Sequence, residues 1–439
     1  MARRRRRIQI ELHGRAATVA AAAFGVLLLG LLIGCVVYQA TGPAEPGNDP
    51  PQRTRAEPLT ALDRIEGWVP SWSDEAAITR EAVGAGFTDL LFFHGTVAES
   101  GTVKLEDPAG LEKGRAAAVL GAVRTWLTVT NHGKSLEAAL IGDLGAHAAA
   151  VVAVFEQSRC QHLDLDYESL TTAQANALPA LVRKLAGMVR PGTRIALTLQ
   201  PVDEVRRPEQ REVVRELLSM REVYTVRFMM YDYHWRNSLP GALCPMPAYR
   251  RVLDTWAGQA HKLTMCLPLY GYNWPRPEDA SLPRADTVTL RDVPALLAGG
   301  MQSAWMREEG ELAGRLEGAR MAALPSHRAI TARVEAALDY GVPAVSFWQL
   351  GCAKLGPVVS ACRRGADVSE GEHPELASWE TWIEPYKRRV CRVIAGREGE
   401  SLDAIAKREG IERGVMYRFN EQLTQPGNTG GQTVYVPRR

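Results

Sequence analysis

The sequence predicts an α/β fold: a (β/α)8 TIM barrel with a small C-terminal βααβ domain and an N-terminal membrane segment. Three observations predict it. Eight short strand-like runs recur between amphipathic helical patterns, a long uncharged stretch opens the chain, and the last fifty or so residues change texture after a Pro-containing connector. The boundaries read as a basic region 1–15, an anchor or signal segment 16–38, a linker 39–61, a barrel 62–365, a connector 366–388 and a terminal module 389–439.

From the N-terminus, Arg3 to Arg7 precede Ala16 to Tyr38, an apolar run long enough to cross a hydrocarbon core of ~30 Å as a helix. Basic residues directly before such a span mark the cytoplasmic side, so everything after Tyr38 is expected outside, in a bacterial cell envelope. Thr41 to Pro58 is rich in proline and poor in large apolar residues, as an extended linker would be. Six further cysteines, Cys160, Cys244, Cys266, Cys352, Cys362 and Cys391, fall in the exported part, where disulfides are permitted; the sequence does not fix a pairing, and Cys266 in "LTMCLPL" reads as a core thiol. A formal net charge of +2, from 52 basic and 50 acidic residues, gives no argument for a nucleic-acid partner.

The strand-like runs are "RIEGWV" (64–69), "TDLLFFH" (88–94), "RTWLTVT" (124–130), "HLDLDYE" (162–168), "RIALTLQ" (194–200), "YTVRFMMYD" (224–232), "KLTMCLPLY" (262–270) and "PAVSFWQL" (343–350). Helical patterns separate most of them, including "SLEAALIGDLGAHAAAVVAVFEQ" and "TTAQANALPALVRKLAGMV", with Thr171 or Thr172 as the N-cap of the latter. The connection from the seventh run to the eighth, roughly 70 residues, exceeds an ordinary βα unit and implies an insertion beside the barrel mouth.

The fourth run carries the chemistry. Asp164, Asp166 and Glu168 alternate with Leu163, Leu165 and Tyr167, so in a strand the acids share one face and the apolar residues the other. By itself that pattern equally fits the wet face of a half-exposed strand. In a barrel, however, one face of each strand points into the centre and reactive groups collect at the C-terminal ends, which would set Asp164 deepest, Asp166 next and Glu168 at the mouth. His94, His132, His162 and His234 are scattered along the chain, and neither a metal nor a cofactor is expected.

Here the sequence resembles glycoside hydrolase family 18, the chitinase-like hydrolases, whose fourth strand carries D-x-D-x-E. "MMYDY" (229–233) is similar to that family's sixth strand, "LPLYGYNW" (267–274) to its seventh and "AVSFWQLG" (344–351) to its eighth; "GWVPSW" and "LLFFH" fit strands one and two more loosely. Gln161 and His162 stand where the family's longer signature begins with Asp-Gly, and Trp305 is the one aromatic residue between Trp274 and Tyr340, which implies a shallower, less aromatic cleft than in processive chitinases. The resemblance implies that Glu168 is the general acid and later the base, that Asp166 orients a 2-acetamido group, that Asp164 shares a proton or hydrogen bond with Asp166, and that Tyr231 hydrogen-bonds the acetamido carbonyl. Asp232, Trp348, Tyr270 and Trp68 would contact the sugar.

The terminal stretch resembles the LysM module through "VIAGREGESLDAIAKREG" and "GGQTVYVP", and "LIGC" (32–35) resembles a bacterial lipobox with Cys35 as the lipidated residue; an uncleaved anchor fits equally well. Together these resemblances imply a membrane-tethered hydrolase of an N-acetylglucosamine polymer, peptidoglycan ahead of chitin, closest to the spore-cortex-type N-acetylglucosaminidases. The rival readings are a chitinase-like lectin that binds without cleaving and a wall-anchored scaffold. An acid retained at the Glu168 position favours the enzyme.

Overall fold

The computed structural model describes residues 57–275, 284–316 and 320–368 and, with gaps, 371–437. The anchor segment 16–38, Cys35 and the linker up to Ala56 lie outside the described residues. Among those described, no helix is long and apolar enough to cross a membrane.

Eight parallel strands form the barrel: β1 (Arg64–Pro70), β2 (Asp89–Val97), β3 (Arg124–Thr130), β4 (His162–Asp166), β5 (Ile195–Leu199), β6 (Val223–Met229), β7 (Leu263–Pro268) and β8 (Ala344–Trp348). Each hydrogen-bonds its sequence neighbour, β7 pairing β8 across the long insertion, and β1 pairs both β8 and β2, closing the sheet. All eight sequence-predicted strands are present, with ends shifted by at most three residues.

Alternation along the strands separates two cores. Leu163 and Leu165 on β4 are fully buried in the large cluster between sheet and helices, and Tyr167 joins them by donating its hydroxyl to His147 Nε2 at 2.7 Å. Inside the barrel, Trp68, Leu91, Phe93, Trp126, Ala196 and Cys266 form a smaller cluster. Barrel interiors are usually filled by branched aliphatic residues. This one also holds Glu66, Asp164 and Arg227, all fully buried.

The helices follow their caps. Thr171 accepts from the Gln174 backbone while the Gln174 side chain reaches back to the Thr171 N–H, a complete capping box that starts the helix Thr172–Met188. The predicted single helix after β3 is split: a π-helical turn, Glu137–Gly142, ends at Asp143, whose side chain caps Leu144–Ser158. An Asp that can accept the free N–H groups of a new helix start there outcompetes continuation of the first turn.

The insertion after β7 is a sheet of its own. Strands Tyr270–Trp274, Asp286–Thr289, Gln302–Met306, Glu311–Leu316 and Arg320–Leu324 pair antiparallel, and Glu375–Leu376 from the connector adds a sixth, parallel strand beside Gln302–Met306. Gly271 is required at one seam, because a Cβ there would lie 2.0 Å from the Ala323 carbonyl oxygen. Trp305 is buried within this sheet under the Arg328 guanidinium, 4.1 Å from the ring centre, so it does not line a cleft. In the terminal stretch, Cys391–Ala395 and Thr433–Pro437 pair antiparallel, and the helix Leu402–Glu409, capped by Ser401, packs Leu402, Ile405 and Ala406 against Met416, Val434 and Val436. The six cysteines within the described residues are all buried, and Cys160, Cys244, Cys266, Cys352 and Cys362 form no disulfide.

Candidate active site

Asp164 and Asp166 both point into the barrel, at the level of Thr128 and Thr130 on β3 respectively. Beyond Asp166 the chain leaves the sheet: Tyr167 turns outward, Ser169 takes a left-handed φ of 56°, and Glu168 is held between them at the C-terminal rim. Its backbone is clamped by Asn131. The Asn131 Oδ1 accepts from the Glu168 N–H at 2.8 Å and its Nδ2 donates to the Glu168 carbonyl at 3.0 Å. A third bond, from Nδ2 to the Lys134 carbonyl at 2.6 Å, fixes the amide itself.

The carboxyl groups differ in their surroundings. Asp164 is saturated: Thr128 and Thr198 each donate a hydroxyl at 2.9 Å, and Arg227 Nη1 donates at 3.0 Å. Asp164 takes these three hydrogen bonds from β3, β5 and β6, while Asp166 lies near enough for the Asp164 charge to raise its carboxyl. Asp166 has one oxygen with no hydrogen-bond partner. Burial, with the charges of Glu168 and Asp164, pushes its carboxyl well above the ordinary range, against a hydrogen bond from Thr130. Burial and the nearby Asp232 likewise raise Glu168, with Arg207 pulling the other way. A carboxyl that keeps its proton near neutrality is what a general acid requires.

Tyr231 and Asp232 follow β6. Asp232 sits at a φ of 55°, a conformation Asp tolerates better than most residues, and accepts hydroxyls from Tyr270 at 2.7 Å and Tyr272 at 3.2 Å. Both tyrosines come from the first strand of the insertion, so the insertion braces the site. Tyr231 is half-buried, its ring edge-on to Tyr270 with centroids 6.2 Å apart, and burial keeps its phenol protonated.

Trp348 ends β8, half-buried, with Phe93 edge-on at 4.8 Å and Trp68 beneath it at 5.9 Å. Trp68, expected to contact the sugar, is only 1% exposed and donates its Nε1–H to Thr128 Oγ1 at 3.2 Å. It supports Trp348 from one layer below. The aromatic residue at the surface is instead Trp72, 61% exposed in the loop after β1, 6.3 Å from Trp348 and 5.9 Å from Phe93. Asn131, Arg227 and Trp72 are the residues that sequence reasoning missed. The signals were slight: an Asn closing a strand, an Arg inside an apolar strand, and the second Trp of "GWVPSW".

No family model matches the sequence, and no curated protein does either. Solved structures do. The spore cortex-lytic enzyme SleL of Bacillus cereus aligns with a TM-score of 0.59 at 18% identity, covering 69% of this chain and 75% of that one. The chitinase from Chromobacterium violaceum gives 0.60 at 16%, covering 70% and 99%, and the family GH18 chitinase from Cycas revoluta, in complex with allosamidin, gives 0.56 at 15%, covering 68% and 98%. The barrel is the fold of these hydrolases.

Proposed function

We propose that this chain is a retaining glycoside hydrolase that cleaves β-1,4 bonds in N-acetylated glycan, peptidoglycan above all, by substrate-assisted catalysis. The observation that carries the reading is the convergence of Asp166, Glu168, Tyr231, Asp232 and Trp348 at one rim of the barrel, with the Glu168 carboxyl raised by burial and by Asp232 and its backbone clamped by Asn131. Glu168 gives its proton to the glycosidic oxygen as the bond to the anomeric carbon breaks. The sugar's own acetamido carbonyl closes on that carbon to form an oxazolinium ion, as in the substrate-assisted branch of these enzymes. Asp166 faces the acetamido N–H and its developing charge, while Tyr231 donates to the carbonyl and keeps it aimed. Glu168, now a carboxylate, then takes a proton from the water that opens the ring, and the starting configuration is restored.

Two features favour peptidoglycan over chitin, the cations beside the site and the tether. Arg206 lies over the Tyr233 ring at 4.1 Å, and Arg207 lies within electrostatic reach of Glu168, so positive charge faces a glycan that bears carboxylates. The terminal LysM-like module adds affinity for N-acetylglucosamine polymers, and the segment 16–38 tethers the enzyme at the outer face of a bacterial membrane, where such a wall lies. Purified glycan strands digested with the full chain, followed by mass spectrometry of the products, test the assignment. New N-acetylglucosamine reducing ends are expected. New N-acetylmuramic acid reducing ends, or binding without cleavage, would overturn the hydrolase specificity or the hydrolase itself.

A further inference from the structure

Arg227 lies at the centre of the barrel with no exposed surface, an unusual place for a guanidinium. Its Nε donates to Glu66 Oε2 at 2.7 Å, its Nη1 to Asp164 Oδ1 at 3.0 Å, and its plane sits over the Trp126 ring at 4.6 Å. The other Glu66 oxygen accepts from Arg64 Nε at 2.9 Å, and Arg64 Nη2 donates to Thr264 Oγ1 at 3.3 Å. Two carboxylates and two guanidiniums therefore balance. With Thr128 and Thr198 also donating to Asp164, that carboxylate accepts three hydrogen bonds, and the one from Arg227 comes from a group that cannot accept a proton back.

We propose that Arg227 is a positioning residue that fixes Asp164 as an anion, and that this fixed charge confines the exchangeable proton of the site to Asp166 and Glu168. Asp164 is faced by Glu66 from β1, Thr128 from β3, Asp166 on its own strand, Thr198 from β5, Arg227 from β6, and Cys266 from β7, a thiol that burial keeps neutral; burial pushes the Asp164 carboxyl above its ordinary range, Glu66 adds to the rise, and Arg227 with the two hydroxyls opposes it. Of these, Arg227 is the cation in contact with it. A neutral Asp164 would relieve Asp166 of one like charge, and the shared proton would leave the Asp166–Glu168 pair more readily. The proposal rests on reading Glu168 as the acid.

The test uses the full chain with Arg227→Met, Arg227→Lys and Asp164→Asn, the last removing the same charge while Glu66 still pairs Arg227. The pH dependence of kcat/KM is measured on N-acetylglucosamine oligosaccharides. The alkaline limb, where the acid loses its proton, is expected to move about one unit lower in Arg227→Met and in Asp164→Asn and to return in Arg227→Lys. A purely structural role would lower the amount of folded protein without moving the limb. Carboxyl 13C spectra of the protein labelled at Asp and Glu read the same shift without turnover, so an inactive wild type would count against the hydrolase reading alone. A limb and a carboxyl titration that stay in place in either folded variant would overturn the proposal.

Discussion

Asp164 and Asp166 stand on one strand and face one way, yet their surroundings are opposite. At the barrel centre, Asp164 and Glu66 are met by Arg227 and Arg64 and every acidic oxygen is engaged. At the rim, Asp166, Glu168 and Asp232 crowd together with hydroxyl groups and a more distant Arg207, and one Asp166 oxygen has no partner. Burial raises both carboxyls, but Arg227 and two hydroxyls oppose the rise at Asp164, whereas Glu168 and Asp164 add to it at Asp166. A residue's type and strand position set where its carboxyl points, but the flanking strands decide how firmly it holds a proton.

The largest expected effect is at the rim. Glu168→Gln keeps shape and removes the proton donor, so turnover of N-acetylated oligosaccharides should fall about 10²–10⁴-fold, with glycan binding by calorimetry nearly unchanged. A variant that kept more than a tenth of wild-type rate, an order-of-magnitude threshold set well above that range, would sink the assignment of the acid.

The inner level should respond in stability instead. Glu66→Gln leaves two buried guanidiniums short of an acceptor charge, and removing one member of a buried ion set costs about 3–5 kcal/mol. Urea unfolding followed by circular dichroism measures it. A loss below about 1 kcal/mol, the range of an exposed pair, would mean that the centre is as tolerant as a surface.

Asp166→Asn should show the opposite sign. The folded-state pKa of Asp166 is raised by burial and by Glu168 and Asp164, so its contribution to stability is fully present below the ordinary carboxylate pKa of about 4 and is lost as pH rises through the raised value. Above that window the amide variant should melt roughly 1–2 °C higher than wild type, the shift expected for about 1 kcal/mol in a chain of this size. The difference should vanish below about pH 3, where Asp166 of the wild type is protonated in both states. Scanning calorimetry at several pH values checks both halves of the statement. Smallest of all, Trp72→Ala should raise KM for long oligosaccharides several-fold while sparing kcat on short ones, since a stacking aromatic is worth about 0.5–1.5 kcal/mol. Equal effects on both lengths would put Trp72 inside the reacting subsite.

The contrast also explains what could be read from the chain. The eight strands were legible because apolar and β-branched runs alternate with helical patterns, and the acid triplet because its period of two repeats three times. Arg227 and Glu66 were not, because their meaning lies in a partner 161 residues away. Asn131 shares this difficulty: its amide acts on a backbone 37 residues on, with no local pattern to announce it. Trp68 points inward as its register demands, but strand alternation gives direction and not depth, so the layer beneath Trp348 could not be told from the surface.

The short strand Glu375–Leu376 gives the C-terminal segment a load path. Trp305 and Arg307 donate backbone N–H groups to the Pro374 and Leu376 carbonyls at 2.8 and 3.0 Å, Glu308 adds a third to Ala377 at 3.0 Å, and Arg328 pairs with Glu375 at 2.7 Å. Strand bonds of this kind lie across the direction of the chain, so tension from beyond Ala377 would strain them together, in shear, rather than one at a time. The force would enter the insertion sheet, whose first strand holds Tyr270 and Tyr272 on Asp232. Pulling on the C-terminal segment would thus load the brace of the catalytic rim, alongside the seats that Trp379 and Ile383 have in the large core.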